Sequence, residues 1–234
     1  MKTQHKNRER FVSKVFKDVF HKYDLMNDIM SLGIHRLWKK QFINWLNPQV
    51  DTKLLDVASG TGDIAKLYLD KINNNGYAFC LDENQGMLNL NKKRFISQSN
   101  IKWFCNNAEK LPFKDNYFDY YTISIGIRNV NNVDIALKEA YRVLKPGGRF
   151  LCLEFSKVEN NILNKFYKNY SKTIPFIGKL IIGKEKPYEY LVNSIENFYN
   201  ADELAEKIKK QKFENLNFRK LSAGIVAIHS AWKI

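Results

Sequence analysis

Residues Leu54-Leu-Asp-Val-Ala-Ser-Gly-Thr-Gly-Asp-Ile-Ala65 join an apolar run carrying one acid, Asp56, to a turn that holds Gly60 and Gly62. Glycines in such a turn let the backbone approach a ligand with no β-carbon in the way. A helical pattern starts directly after it, so unpaired N–H groups and the positive end of a helix dipole face the same crevice. In an open α/β sheet that crevice, at the carboxyl ends of the strands, is where ligands bind. Asp82 ends the next apolar run, where its carboxylate could accept from both ribose hydroxyls of a nucleoside or cap the helix that follows.

Two nucleoside cofactors compete for this pattern. Gly60-Thr-Gly62-Asp-Ile-Ala65 formally matches a dinucleotide fingerprint, and the motif alone is weak evidence. Three features favour S-adenosyl-L-methionine. Asp56, inside the strand before the glycines, suits a ligand with a free ammonium group. Asn107-Ala-Glu-Lys-Leu-Pro-Phe113 follows the third strand, where a loop can hold an adenine. One helix and two strands then close the chain, leaving no room for a second catalytic domain. Thr61 is expected at the amino-acid end of the cofactor, Asn107 and Ala108 at the adenine, and Ser124 where cofactor and acceptor meet. A plain turn role stays open for Thr61 and for Asn107.

The elements that must position these residues alternate. Lys53–Val57, Tyr77–Leu81, Ile101–Cys105, Tyr117–Ile125 and Arg149–Phe155 read as strands; about Gly62–Lys71, Gln85–Phe95 and Val133–Val143 read as helices. Lys145-Pro-Gly-Gly148 reads as a turn. This order argues an α/β fold with a doubly wound, mostly parallel sheet. The chain divides into a helical N-terminal lid (1–48), a cofactor-binding core (53–156), a helical cap insertion (157–200) and a closing helix and strand pair (201–234) within one domain. The last part comprises a helix at Ala201–Lys210 and strands at Phe213–Leu221 and Gly224–Trp232, turning at Ser222-Ala-Gly224.

At 234 residues with 44% hydrophobic content the chain can bury a substantial core and is not disordered. No apolar run reaches membrane-spanning length, and the polar Met1–Arg10 lacks an apolar signal core, so a cytoplasmic protein is expected. Cys80, Cys105 and Cys152 stand singly without CxxC spacing, which argues against disulfides and a metal site and for buried hydrophobes. The formal charge of +14 admits lysine-rich codon bias, attraction to an anionic membrane surface, or nucleic acid. The scatter of lysines along the chain favours the first and leaves nucleic acid the weakest.

Two longer stretches resemble a known family. Tyr23-Asp-Leu-Met-Asn-Asp-Ile-Met-Ser-Leu-Gly-Ile-His-Arg-Leu-Trp38 is similar to the N-terminal signature of the ubiquinone/menaquinone biosynthesis C-methyltransferases. Arg142-Val-Leu-Lys-Pro-Gly-Gly-Arg-Phe-Leu-Cys-Leu-Glu-Phe-Ser156 is similar to their second signature. Ile123–Val130 and Ala223–His229 resemble further elements. The resemblance implies methyl transfer from S-adenosyl-L-methionine to a ring carbon of a polyprenylated benzoquinol or of demethylmenaquinol. It implies cofactor contacts at Thr61, Asp82, Asn107, Ala108 and Ser124, and other quinone-biosynthesis enzymes as partners. Ser59 departs from the family's Gly-Gly-Thr-Gly, and its β-carbon is expected to narrow the turn.

A sulfonium methyl is already electrophilic, so the protein mainly has to align two partners and activate a carbon nucleophile. Removing a phenolic proton pushes electron density onto the ring. Arg128 and Asn129, just after the fourth strand, are the candidates; Arg128 stays protonated, so its role is phenolate stabilisation or proton relay through water. A structural salt bridge is the alternative for Arg128. His35 is a second candidate base, balanced against helix packing, and Glu154 is a crevice carboxylate without an assigned role. Tyr23, Asp24, Met26 and Asn27 are expected in a lid. A nucleic-acid amine methyltransferase would show Asp/Asn-Pro-Pro-Tyr where this chain has Ser124-Ile-Gly-Ile-Arg-Asn129. An O-methyltransferase for small phenols would share the whole cofactor half. From Phe166 to Lys186, apolar residues alternate with lysines, as in an element lying on an anionic leaflet or an internal cap over the site.

Overall fold

Leu54 and Leu55, adjacent in one strand, are both fully buried yet belong to two separate apolar clusters. That places the strand inside a sheet covered on both faces, as near-continuous apolar runs in parallel sheets require. A computed structural model describes residues 28, 31, 33–158, 170, 173–176, 178–180, 183 and 185–234. Tyr23, Asp24, Met26 and Asn27, and nearly half of the residues from Phe166 to Lys186, lie outside the described residues.

Helix α1 (His35–Leu46) precedes β1 (Thr52–Val57), α2 (Asp63–Lys71), β2 (Gly76–Asp82), α3 (Gln85–Arg94) and β3 (Ile101–Cys105). The chain continues through β4 (Phe118–Ser124), α4 (Val133–Val143), β5 (Leu144–Phe155), α5 (Lys186–Glu196), α6 (Ala201–Lys210), β6 (Glu214–Leu221) and β7 (Val226–Trp232). The strands form one seven-stranded sheet in the order β3-β2-β1-β4-β5-β7-β6. Pairings from β3 across to β5 are parallel, and β7 runs antiparallel to both its neighbours. The order reverses between β1 and β4, and there the connections leave in opposite directions and open a crevice.

One cluster packs Trp38, Phe42 and Leu46 of α1 and Ile64 and Tyr68 of α2 on one face of the sheet; the other packs Leu137 and Ala140 of α4 and Leu204 and Ile208 of α6 on the opposite face. Helix α1 is fastened to the far end of the sheet as well. Trp38 Nε1 donates to Ser222 Oγ at 2.9 Å, and Arg149 Nη1 donates to the carbonyls of Trp45 and Leu46 at the helix end.

Two local readings change. Lys145-Pro-Gly-Gly148 does not precede β5 but lies inside it: Phe118 pairs with Leu144 and Tyr120 with Arg149, so the tetrapeptide bulges out of the ladder. Gly147 takes a left-handed φ of 78° there, which glycine adopts without strain. Cys105 is exposed, whereas Cys80 and Cys152 are buried. It ends β3, an edge strand with an open outer side, and apolar neighbours in sequence do not bury a residue at such a place.

Candidate active site

The crevice gathers the ends of four strands. Val57 comes from β1 and Ala58 from the turn after it, Leu81 and Asp82 from β2, Asn106 and Ala108 from the loop after β3, and Gly126 and Asn129 from the turn after β4. A smaller recess continues from it past Ala58, Gly60 and Ile125, lined by Lys39, Asp56, Ser59, Thr61, Asp63 and Ser124.

The turn after β1 is shaped by backbone that only small residues tolerate. Ala58, Gly60 and Gly62 all have positive φ, at 52°, 50° and 78°. At Gly62 a β-carbon would come within 2.8 Å of the Trp103 ring. At Gly126 a β-carbon would lie 2.5 Å from the β-carbon of Ala58, so the lips of the crevice meet at two minimal side chains. Ile125, between Ser124 and Gly126, holds φ at 54°, a costly conformation for a β-branched residue, and such strain concentrates at ligand sites.

Asp82 anchors this turn from below. Its carboxylate accepts from Gly60 N and Asn84 N, each at 2.9 Å. Burial raises its pKa above the usual carboxylate range, although both N–H groups pull the other way. A carboxylate has about four acceptor positions, so lone pairs remain for a ribose diol. Asp82 is not the cap of α3; Asn84 is, accepting from Met87 N at 3.1 Å.

Thr61 and Ser124 line the recess, and Ala108 lines the main crevice. Asn107 does not line either: its Oδ1 accepts from Glu109 N at 2.6 Å and so closes a turn. Its neighbour Asn106, which sequence reasoning passed over, lines the crevice and holds Asn107 N through its own side-chain oxygen at 2.7 Å.

Asn129 lines the crevice, and its Oδ1 accepts from Tyr190 Oη of α5 at 3.1 Å. Arg128, beside it, points elsewhere. Its Nη1 donates to Glu154 Oε1 and to Ile125 O, both at 2.8 Å, and its Nε donates to Ser194 Oγ. Glu154 also accepts from the backbone N–H groups of Arg128 and Phe155, which gives this carboxylate its role as holder of the turn. The sequence could not foretell Tyr190 and Ser194, because both lie far along the chain in the inserted helix.

His35 is buried, lines neither cavity, and bonds through Nδ1 to Ser31 Oγ at 2.9 Å, while Ser31 Oγ also accepts His35 N. Burial, with Lys39 nearby, lowers its pKa. This is a helix-end packing role, not that of a base in the crevice.

The recess is where the polar groups are left incomplete. Asp56 Oδ1 accepts from Thr122 Oγ1 at 2.8 Å, but Asp56 Oδ2, Ser59 Oγ and Ser124 Oγ are buried and have no hydrogen-bond partner among the described residues. Buried polar atoms are nearly always satisfied, so three together mark a place that a ligand completes. Burial pushes the Asp56 carboxyl up to about 7. A crevice with a carboxylate at Asp82, joined to a polar recess with a carboxyl, a cation and hydroxyls, fits an aminoacyl nucleoside better than a dinucleotide.

Comparison with known proteins agrees. The model of the ubiE/COQ5 methyltransferase family matches residues 2–233. The chain belongs to the ubiE/COQ5 methyltransferase family. As a member it is a methyltransferase, and S-adenosyl-L-methionine is its cofactor. A ubiE/COQ5 relative from Rickettsia prowazekii, the ubiquinone/menaquinone biosynthesis C-methyltransferase UbiE, is 51% identical over all of this chain and 96% of its own. The mitochondrial 2-methoxy-6-polyprenyl-1,4-benzoquinol methylase of Dictyostelium discoideum is 46% identical over 97% of this chain and 83% of its own. Among solved structures, a methyltransferase of Thermotoga maritima described as S-adenosylmethionine-dependent superposes with a TM-score of 0.68 at 20% identity, covering 95% of this chain and all of that one. That likeness establishes the fold of the ubiE/COQ5 chain as the doubly wound methyltransferase type.

Proposed function

We propose that this methyltransferase acts on a ring carbon of a polyprenylated benzoquinol, of demethylmenaquinol, or of both. The observation that supports the reading is the crevice itself, lined by Asp82, Ala108 and Asn129, with Tyr190 of α5 donating to Asn129 Oδ1 at 3.1 Å. Names of full-length relatives at about half identity point to the same quinols.

Bound S-adenosyl-L-methionine supplies an electrophilic sulfonium methyl group. The protein's part is to hold that methyl in line with the acceptor, which in principle removes about 7–11 kcal/mol of barrier. Asp82 holds the ribose, Thr61 and Ser124 the amino-acid side, and Ala108 and the turn of Asn107 the adenine. Asn129 meets the acceptor's hydroxyl. Arg128, charge-balanced by Glu154, supports the phenolate from behind that turn or relays its proton through water. Transfer would break the methyl–sulfur bond, leave S-adenosylhomocysteine and form the new carbon–carbon bond, while the ring proton would pass to water and the phenolate would take back a proton, restoring the aromatic quinol.

The substrate's polyprenyl tail belongs in a bilayer, and no helix among the described residues is long and apolar enough to cross one. We propose that the enzyme works at the inner face of a membrane. Residues 173–176 and 178–180 are helical. Ile174 is buried there and Gly178 packs directly on the Tyr188 ring, while Phe176 and Leu180, one turn apart, are 62% and 71% exposed. Lys179 beside them is exposed too. Two apolar side chains with an adjacent cation suit an interfacial contact. Accumulation of a demethylated quinone precursor in a strain lacking the gene, reversed by the intact chain, tests the substrate reading; unchanged quinones would oppose it.

A further inference from the structure

Lys39 is an unusual lysine, only 8% exposed in a part of the protein that owes nothing to the glycine turn. It sits on α1, directly after Trp38, whose indole is fastened to Ser222 at the opposite end of the chain. Its ammonium reaches the recess and donates to Asp63 Oδ2 at 2.8 Å, its only hydrogen bond among the described residues. Lysine is rarely buried unless paired, and an ammonium has three N–H groups to give.

Across the same recess stand the unsatisfied atoms. Asp56 is 1% exposed and Ser59 is 8% exposed, and neither Asp56 Oδ2 nor Ser59 Oγ has a partner among the described residues. Asp63 opens α2, and the cap position before it, Gly62, offers no side chain to the first N–H groups of the helix. Among the described residues the recess therefore presents a carboxyl oxygen lacking a donor, and a buried cation beside helix N–H groups that no side chain caps. An α-amino acid in its zwitterionic form completes both at once, its ammonium on Asp56 and its carboxylate on Lys39 and the start of α2.

We propose that Lys39 is the anchor for the carboxylate of the cofactor's methionyl end, so that capture of the cofactor requires α1 to be docked on the sheet. This rests on the S-adenosyl-L-methionine reading above. Asp63 holds Lys39 in place before the ligand arrives: burial opposes the charge of Asp63, but Lys39, with Arg94, lowers its pKa below the ordinary value. The Trp38 and Arg149 contacts that seat α1 thereby act on cofactor affinity from the far end of the sheet.

Calorimetry with three probes separates the possibilities: S-adenosylhomocysteine, decarboxylated S-adenosylmethionine, which keeps the ammonium but lacks the carboxylate, and 5′-methylthioadenosine, which lacks the whole amino-acid end. Lys39→Met should weaken S-adenosylhomocysteine about tenfold to a hundredfold, the loss of a charged hydrogen bond. It should leave the other two probes within about twofold of wild type. Asp56→Asn should weaken the first two probes and spare the third. Lys39→Arg should recover part of the loss. Lys39→Met with Asp63→Asn removes the carboxylate left without its lysine should the single variant fold poorly, and it should show the same selective loss. Equal weakening of all three probes, or no weakening of S-adenosylhomocysteine, overturns the assignment of Lys39. Failure of the wild-type protein to bind S-adenosylhomocysteine at all would instead strike the cofactor reading.

Discussion

Arg128 and Glu154 form an ion pair at 2.8 Å with both side chains at most 2% exposed, and the same Arg128 nitrogen donates to the carbonyl of Ile125. Ile125 is the residue held in the left-handed region beside the crevice. The pair thus clamps the strained turn that presents Asn129, and any catalytic contribution of Arg128 comes with a structural one.

That double role shapes the expected variants. Removing one member of a buried pair leaves an uncompensated charge, a cost of about 3–5 kcal/mol, so Arg128→Ala should lower Tm markedly. Asn129→Ala leaves the clamp intact and should keep Tm near wild type while lowering kcat about tenfold to a hundredfold, with cofactor affinity unchanged. Thermal melts, calorimetry and steady-state kinetics on both variants check this. A fall in cofactor affinity that tracks the fall in kcat would leave residues 128 and 129 with a structural role alone.

The lips of the crevice can be tested by a size swap. Gly126 has an ordinary φ, so Gly126→Ala is resisted only by the Ala58 β-carbon 2.5 Å away. Alanine there should push the β1 and β4 turns apart and weaken S-adenosyl-L-methionine about tenfold or more, an overpacking cost of about 1–3 kcal/mol. Adding Ala58→Gly removes the clash and also suits the left-handed φ of 52° at that position. The double variant should regain most of the affinity in calorimetry. If it binds as poorly as Gly126→Ala alone, the contact between the lips is not what sets the crevice.

How much of this could be read in the chain follows from where each signal resides. The strand–turn–helix at Leu54–Lys71 and the acid ending β2 are local patterns, and the structure places them at the reversal of strand order as periodicity and glycine spacing predict. Lys39, Tyr190 and Ser194 were invisible, because a lysine in a lysine-rich chain and polar residues in an inserted helix carry no local mark. Packing of α1 and α5 brings them to the site from distant positions. Asn106 and Asn107 show the limit of motif reading: two adjacent asparagines are equivalent in sequence, and only the turn closed on Glu109 decides which faces the crevice.

The pH behaviour of cofactor binding should carry the signature of Asp56. Its carboxyl is raised to about 7, chiefly by burial and with Asp82 and Asp63 adding to the rise, while Thr122 and Lys39 oppose it. Because the folded pKa exceeds the unfolded one, the free protein loses stability as pH rises from about 4 through 7. A cationic ligand needs the ionised form, so affinity should climb between about pH 6 and 7.5, with proton release on binding. Calorimetry in buffers of different ionisation enthalpy reads that release directly. It should vanish in Asp56→Asn, and a release that persists in this variant would assign the proton to another group.

Membrane contact predicts a particular dependence on lipid. Sedimentation with vesicles should show binding that grows with anionic lipid content and falls with salt, each lysine near the surface contributing about 1 kcal/mol. Lys179→Glu should weaken it several-fold, and Phe176→Ser with Leu180→Ser should abolish most of the remainder. Binding indifferent to lipid charge and to these changes would confine the segment to roofing the site.

The most direct test of the central claim is the position of the transferred methyl. The purified protein, S-adenosyl-L-methionine carrying a ¹³C methyl group, and chemically reduced demethylmenaquinol or 2-methoxy-6-polyprenyl-1,4-benzoquinol in detergent should give a product with one labelled methyl bonded to a ring carbon, read by carbon NMR and mass spectrometry. Transfer to oxygen, or transfer to a small catechol with neither quinol accepted, would contradict the account.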